Sequence, residues 1–241
     1  MPDSGLLWSP VCERLAIQYP IFGFAHDVAT VAAITNAGGY GVYGATRRFP
    51  DEIRQELAAI RALVGDKPFG VDLVLPPGMP EYNSRAAIEA EIPETHREFV
   101  DALIEKFQVP EATEPGMRTR FIRSAEIEEA QIEAVLESSV NMFACGIGSP
   151  PEVVTAAKAR GKTTLALIGS PHHVPRAIAA GVEFLVAQGY DAGAHTGPVG
   201  TYSLVPQIVD AAGDIPVLVA GGVATGRHVA AALAMGAQGV W

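Results

Sequence analysis

One histidine, His195, lies in a stretch of the chain that is rich in glycine. Residues 188–200 contain four glycines, and His195 is the one histidine among them. Glycine lets the backbone wrap closely around a flat ligand, and an imidazole titrates near neutral pH. A lone histidine is most often an ordinary surface or core residue. This one lies in the loop that follows a predicted strand, where α/β barrels carry their catalytic residues, so we predict that His195 takes part in acid–base chemistry.

Two adjacent glycines, Gly221 and Gly222, predict a phosphate site. They follow a predicted strand that ends at Ala220 and precede a predicted helix. The first turn of a helix offers free backbone N–H groups and partial positive charge, and glycine admits close approach. A plain tight turn is the alternative interpretation. The late strands of an α/β barrel are its usual phosphate position, which favours the phosphate site.

The adjacent histidines His172 and His173 follow another predicted strand. Successive residues on a helix point about 100° apart, so only one of the two can face a site, and together they are poor ligands for one metal ion. We expect His172 to be solvated, whereas His173 is equally compatible with a site and with the scaffold. The sequence holds no HExxH pattern, paired cysteines or carboxylate–histidine cluster, so no metal is predicted.

A carboxylate interrupts one otherwise apolar strand. Asp72 lies within the segment Gly70-Val71-Asp72-Leu73-Val74. A buried charge is costly unless it is hydrogen-bonded or faces a polar ligand. Asp72 is therefore either a ligand contact or a paired structural group.

The elements that position these residues alternate between strands and helices. Apolar runs of strand length are separated by helical periods, and glycine stands at the joints, as at Gly38, Gly181 and Gly236. The predicted strands are 19–24, 40–43, 69–75, 140–145, 162–168, 182–187, 217–220 and 238–241. The predicted helices are 28–37, 51–64, 95–107, 124–138, 151–160, 171–180, 203–212 and 225–235.

This rhythm predicts a TIM (β/α)8-type barrel that forms one domain over residues 1–241. Prolines punctuate residues 76–123, which we interpret as an insertion on the barrel rim around one helix. The eighth strand is cut short and the helix after it is missing, so the sequence has the character of a fragment.

Composition excludes several classes of function. The 241 residues carry a formal net charge of −10, which argues against nucleic acid or an anionic membrane surface as the main partner. No apolar run reaches the roughly 18 residues of a membrane span, and the first residues do not resemble a signal peptide. Cys12 and Cys145 suit a reducing compartment, and Cys145 is interpreted as a small buried hydrophobe. A soluble, cytoplasmic protein is expected.

Several phrases in the order of the chain are similar to one family. They are Asn36-Ala37-Gly38-Gly39, residues 192–197, Leu204-Val205-Pro206, Ile215-Pro216-Val217, Ala220-Gly221-Gly222 and residues 231–240. The chain resembles the nitronate monooxygenases, formerly called 2-nitropropane dioxygenases. The resemblance covers nearly the whole chain and is strongest over residues 182–241.

The resemblance implies an FMN-dependent flavoprotein oxidoreductase that oxidises alkyl nitronates with molecular oxygen to carbonyl compounds and nitrite, the cofactor carrying the redox step. His195 then takes the catalytic position, with Ala194 replacing a family glycine, and His173 matches a second histidine near the flavin. The flavin contacts that the resemblance implies are Ala25, Asp72, Gln188, Gly189, Gly193, Ala194, Gly197, Ala220, Gly221 and Gly222. Its partners are a small nitronate and oxygen, and a homodimer is left open.

The sequence also departs from the family. The first strand leads into Phe24-Ala25-His26 where members commonly have Gln-Ala-Pro-Met, and the second phosphate segment would follow Trp241. Two alternatives stay open: a flavin-dependent enoyl-acyl carrier protein reductase that uses NAD(P)H, and a non-catalytic barrel. The acidic net charge does not favour the docking of an acidic carrier protein.

Overall fold

A computed structural model of the chain describes residues 7–81, 84–113 and 122–241, which contain one parallel sheet of eight strands. Each strand pairs with the next along the chain, so the order is β1 to β8 without a crossover. The strands are β1 Phe22–Ala25, β2 Tyr40–Gly44, β3 Gly70–Leu73, β4 Met142–Cys145, β5 Thr163–Ile168, β6 Phe184–Gln188, β7 Val217–Ala220 and β8 Gly239–Val240.

A bridge between Ile21 and Val240 brings β8 beside β1 and nearly closes the barrel. The short β8 also pairs with β7 through Gly239 and Val240. The TIM-barrel prediction is therefore confirmed.

Apart from the first helix, which precedes β1, the helices of the described residues lie between successive strands in the chain. Those in the described residues are α1 Pro10–Arg14, α2 Val28–Asn36, α3 Pro50–Val64, α4 Arg85–Glu91, α5 Glu94–Phe107, α6 Ala125–Glu137, α7 Pro151–Ala159, α8 Val174–Ala180, α9 Thr201–Ala212 and α10 Gly226–Ala234. Gly38, Gly181 and Gly236 all have positive φ angles just after a helix, of 94°, 87° and 92°. Glycine adopts this conformation without steric cost, which confirms the predicted joints.

Alternating strand residues face two different cores. Val71 and Leu73 of β3 pack outward against α3 and α6, whereas Tyr40, Leu165 and Phe184 fill the lumen of the barrel. Since Asp72 lies between Val71 and Leu73, its side chain faces the lumen.

The amino end of the lumen is closed by α1, which the sequence patterns did not predict. Val11 and Leu15 belong to the lumen cluster, and the Arg14 guanidinium lies 4.5 Å from the centre of the Phe184 ring. The carboxyl ends of the strands are left open to the loops.

Three predictions about local structure need correction. The first strand begins at Phe22, because Gln18 and Tyr19 donate their backbone N–H groups to Gly38 and form a turn. The predicted helix 171–180 starts with a 3-10 turn, Pro171–His173, before α8. The predicted insertion contains α4 as well as α5, while residues 82–83 and 114–121 of it lie outside the described residues.

None of the helices in the described ranges combines the length and the apolar character that a membrane crossing requires.

Candidate functional site

A cleft of about 640 Å³ opens at the carboxyl ends of β4, β5 and β6. Active sites of α/β barrels lie at this end of the strands. The lining residues are Pro77, Gly146, Ile147, Gly148, Ser149, Leu167, Ile168, Gly169, Ser170, His173, Arg176, Ala177, Gln188, His195, Thr196, Gly197 and Pro198.

His195 lies on the loop after β6 and lines this cleft. The loop is held to the barrel by Gln188, whose Nε2 donates to the backbone carbonyl of His195 at 2.8 Å. A close contact between Gly197 and Gly169 holds the far end of the loop, because a Cβ on Gly197 would lie 2.3 Å from the Gly169 carbonyl oxygen. The structure therefore brings His195, Gln188 and Gly197 together at the cleft.

His173 lines the cleft from the 3-10 turn after β5, whereas its neighbour His172 is not among the lining residues, although both are exposed. Arg176 follows His173 by three residues and lines the same cleft. Sequence reasoning missed Arg176, although the spacing of one helical turn from His173 was a usable signal.

The charge of the cleft is opposite to that of the chain. Its lining contains one arginine and two histidines but no aspartate or glutamate, while the whole chain carries a net charge of −10. Within the described residues, the Arg176 side chain forms no ion pair. The cleft therefore suits an anionic ligand.

Asp72 lies on the lumen side of β3, beside Gly146 of the cleft. Asp72 is only 5% exposed, and its Oδ2 atom has no hydrogen-bond partner. Burial raises the pKa of this carboxyl group to about 7. Of the two interpretations left open by the sequence, the unpartnered atom favours a ligand contact over a paired structural group.

The loop after β7 keeps only part of the predicted phosphate cradle. Gly221 and Gly222 have positive φ angles of 101° and 72°, and within the described residues their N–H groups form no hydrogen bond. Two N–H groups just before the helix are taken up, however. Ala224 and Thr225 both donate to Nδ1 of His228, at 3.0 and 3.1 Å, because His228 caps the first turn of α10.

The loops after β6 and β7 pack tightly against each other. Gly189 is buried against Thr201, and a Cβ on Gly221 would lie 3.1 Å from the Ala192 nitrogen. The Asp191 carboxylate accepts the Thr201 N–H at 2.8 Å, which lowers the pKa of Asp191. A Cβ on Gly222 would lie 3.3 Å from the Asp191 Cβ, so the Asp191 side chain lies close to the Gly221-Gly222 pair.

Of the ten predicted flavin contacts, the cleft lining contains Gln188 and Gly197, and the other eight are absent from it. Ala220 is the last residue of β7 and is buried in the lumen, and Ala25 is the last residue of β1 and is partly buried. Gly193 and Ala194 are exposed on the β6 loop, and a Cβ on Gly193 would have no neighbour within 4 Å. These four residues therefore do not line the cleft, although Ala194 is the chain neighbour of His195.

Aromatic side chains occupy the opposite side of the barrel mouth. Phe24 and Trp241 stack with ring centres 6.3 Å apart, and His26 packs edge-on against Phe24 at 4.9 Å. His26 Nδ1 lies 2.9 Å from the Gly44 carbonyl oxygen, which fixes the imidazole over β2. Sequence reasoning noted this segment only as a departure, because nothing in the pattern relates Trp241 to Phe24.

Among the described residues, no three His, Cys, Asp or Glu side chains are grouped so that they could hold a metal ion.

The chain has the architecture of the α/β-barrel enzymes: a TIM barrel with a histidine-lined cleft at the carboxyl ends of its strands. The family model "Nitronate monooxygenase" matches residues 9–241. The chain belongs to the nitronate monooxygenase family, which confirms the resemblance.

One protein with a similar sequence and two solved structures are similar to the chain. A protein of Mycobacterium tuberculosis, Rv1533, which is provisionally named a monooxygenase, is 41% identical over 96% of this chain and 64% of its own length. The solved structure of a nitroalkane oxidase from Streptomyces ansochromogenes has a TM-score of 0.75 at 26% identity, covering 95% of this chain and 65% of that one. FabK from Thermotoga maritima has a TM-score of 0.70 at 26% identity, covering 96% of this chain and 60% of that one.

The chain thus spans less than two thirds of the length of these proteins.

Proposed function

We propose that the protein is an FMN-dependent oxidoreductase that oxidises alkyl nitronates with molecular oxygen to carbonyl compounds and nitrite. The observation that carries this proposal is the cleft itself, which presents His173, His195 and Arg176 and no acidic side chain. A nitronate is an anion, so it is attracted to this lining and repelled by the acidic remainder of the surface.

His195 acts at the reacting carbon in this proposal. Its loop is anchored by Gln188, so the imidazole can accept a proton from a neutral nitroalkane or pair with the nitro group of a nitronate. His173 and Arg176 stand on neighbouring turns of one segment and orient the anion.

The residues of the barrel mouth fit a flavin in two respects. The N–H groups of Gly221 and Gly222 have no other partner within the described residues, so they are free to hold a phosphate. Asp72 presents a buried, unpartnered oxygen to the lumen, where a heterocycle offers polar atoms. When bound, FMN would supply the electron acceptor for the oxidation.

An enoyl reductase that uses NAD(P)H is the second candidate. The likeness to FabK, at 26% identity and a TM-score of 0.70, favours keeping it. Both candidates use one flavin and one barrel mouth, so only the reductant separates them.

Visible absorption spectra of the purified chain test the proposal. We expect a flavin spectrum to remain after FMN is added and the excess is removed by desalting. Propane-2-nitronate should then give nitrite and consume oxygen, while NADH should leave the flavin oxidised in the absence of air. Bleaching by NADH without nitrite formation would establish the reductase instead, and loss of all flavin on desalting would establish a non-catalytic barrel.

A further inference from the structure

Thr201 joins the two loops that carry the proposed chemistry, the β6 loop (residues 189–200) and the β7 loop (residues 221–225). It is the first residue of α9 and is only 8% exposed. A Cβ on Gly189, directly after β6, would lie 2.3 Å from the Thr201 nitrogen. The Thr201 Oγ1 atom donates to the carbonyl oxygen of Ala220, the last residue of β7, at 3.4 Å. One buried residue therefore contacts the starting points of both loops.

A residue of the β6 loop caps α9. The residue before the helix is Gly200, which has no side chain that could accept an N–H. The Asp191 carboxylate instead accepts the Thr201 N–H at 2.8 Å. This bond lowers the pKa of Asp191, so the carboxylate stays ionised at neutral pH. A negative charge at the start of a helix is also favoured by the helix dipole.

The bond between Asp191 and Thr201 closes the base of the β6 loop. Next to it, Tyr190 donates its N–H to the Val199 carbonyl oxygen at 3.0 Å. The two bonds join the beginning of the loop to its end, and a short closed loop samples fewer conformations than an open one. His195 lies between the closed ends and lines the cleft. The position of its imidazole therefore depends on this closure.

The same two residues pack against the β7 loop. A Cβ on Gly221 would lie 2.7 Å from the Thr201 Oγ1 atom, and one on Gly222 would lie 3.3 Å from the Asp191 Cβ. Because atoms packed this closely cannot interpenetrate, a shift of Asp191 displaces the β7 loop or opens a gap beside it. The bond between Asp191 and Thr201 therefore also fixes the β6 loop relative to the proposed phosphate position.

We propose that Asp191 is a positioning residue that holds His195 at the cleft, because its carboxylate closes the β6 loop through the Thr201 N–H. This inference rests on the proposed function, since it assigns to Asp191 an effect on the chemistry of His195. Asp191 is exposed and does not line the cleft, so it acts on the reaction only through the loop. A displacement of a catalytic group by about 1 Å can slow a reaction about 100-fold.

The experiment compares Asp191→Ala with the parent, both as the full chain loaded with FMN. Two substrates separate the steps, because 2-nitropropane must first lose a proton to His195, whereas propane-2-nitronate has already lost it. We expect kcat for 2-nitropropane to fall by about tenfold and kcat for the nitronate to fall by a smaller factor. The loss stays below that of His195→Ala, because Gln188 still holds the His195 carbonyl.

Asp191→Asn tests the hydrogen bond apart from the charge. The asparagine side-chain oxygen can accept the same N–H, so this variant should recover most of the 2-nitropropane rate that alanine loses. Asp210→Ala is the matched control, because Asp210 is an exposed carboxylate on the same helix, α9. It should follow the parent with both substrates.

A double-variant cycle tests whether Asp191 acts through His195. In a chain that already carries His195→Ala, adding Asp191→Ala should leave the remaining 2-nitropropane rate unchanged within about twofold. A further tenfold loss in that background would show that Asp191 acts independently of His195, and would overturn its positioning role.

Equal slowing of both substrates in Asp191→Ala, or slowing of neither, would overturn the role of Asp191 and leave the proposed function intact. A parent that retains FMN but releases no nitrite from either substrate would overturn both. If Asp191→Ala does not fold, amide hydrogen exchange of the FMN-bound parent decides the question. A protected Thr201 N–H would support the proposal, and an unprotected one would refute it.

Discussion

The two ends of the barrel lumen are built from opposite kinds of side chain. Near the amino ends of the strands, Tyr40, Leu165 and Phe184 are completely buried, and α1 closes the opening. Near the carboxyl ends, the lumen residues are Gly44, Asp72 and Gln188, and the loops carry glycine and histidine. Buried apolar side chains at the closed end stabilise the fold, whereas polar groups without protein partners at the open end destabilise it.

The largest effect is expected from emptying the closed end. Phe184→Ala removes a fully buried ring, which should lower the free energy of unfolding by about 3–5 kcal/mol, as measured by urea denaturation. Leu167→Ala is the comparison at the open end, since Leu167 is partly exposed in the cleft. An equal loss in both variants would contradict the division of the lumen.

The pH dependence of stability should expose the cost of Asp72 at the open end. Its pKa is about 7 in the folded protein and 3.8 as the reference value for the unfolded chain, so the unfolded state ionises first as the pH rises. The flavin-free protein should therefore lose about 4 kcal/mol between pH 4 and pH 7, and stability should stay level above that range.

Asp72→Asn should abolish this loss, and the difference between parent and variant removes the contributions of other carboxylates. Chemical denaturation at pH 4.5, 6 and 8 measures it. Identical pH profiles would show that Asp72 is already paired or solvated.

His195→Ala separates chemistry from binding within the cleft. If His195 is a general base, turnover of a neutral nitroalkane should fall by about 100-fold or more while FMN stays bound. Nitrite release and flavin absorbance measure the two properties on the same sample. His172→Ala, in the exposed neighbour of His173, should keep both, and an unchanged rate in His195→Ala would remove His195 from the mechanism.

The smallest effect is expected at the loop after β7. Gly222→Asp places a negative charge at the proposed phosphate position and should weaken FMN binding by at least about tenfold. Gly222→Asn is the matched control, because asparagine has the same shape, no charge and a tolerance for positive φ angles. Equal affinities in the two variants would place the phosphate elsewhere.

Sequence patterns predicted the strands well because most of the buried strands are short, largely apolar runs. The predicted strand 217–220 has the observed bounds, whereas the first strand was placed three residues early. Tyr19 and Pro20 continue the apolar run but belong to a turn that Gly38 holds. Local pattern cannot reveal a hydrogen bond to a residue that lies beyond the next helix.

Only some of the predicted site residues line the cleft, whereas nearly all of the predicted strands and helices are present in the fold. His195, His173, Gln188 and Gly197 do lie on one cleft, because they follow strand ends that the barrel brings together. Gly193 and Ala194 belong to the same sequence motif, but the course of the loop leaves them in solvent. Arg176 was missed because no motif marks it, and its spacing of three residues from His173 was the one signal that could have found it.

The sequence by itself determined the family, through motifs that lie in order along the chain, and the alternation of strands and helices, through the periodicity of its apolar residues. Only the tertiary structure decided which side chains share a cleft, that His228 occupies N–H groups of the β7 loop, and that Asp72 lacks a partner. Those facts depend on distances between residues that are remote in the chain, and packing sets such distances.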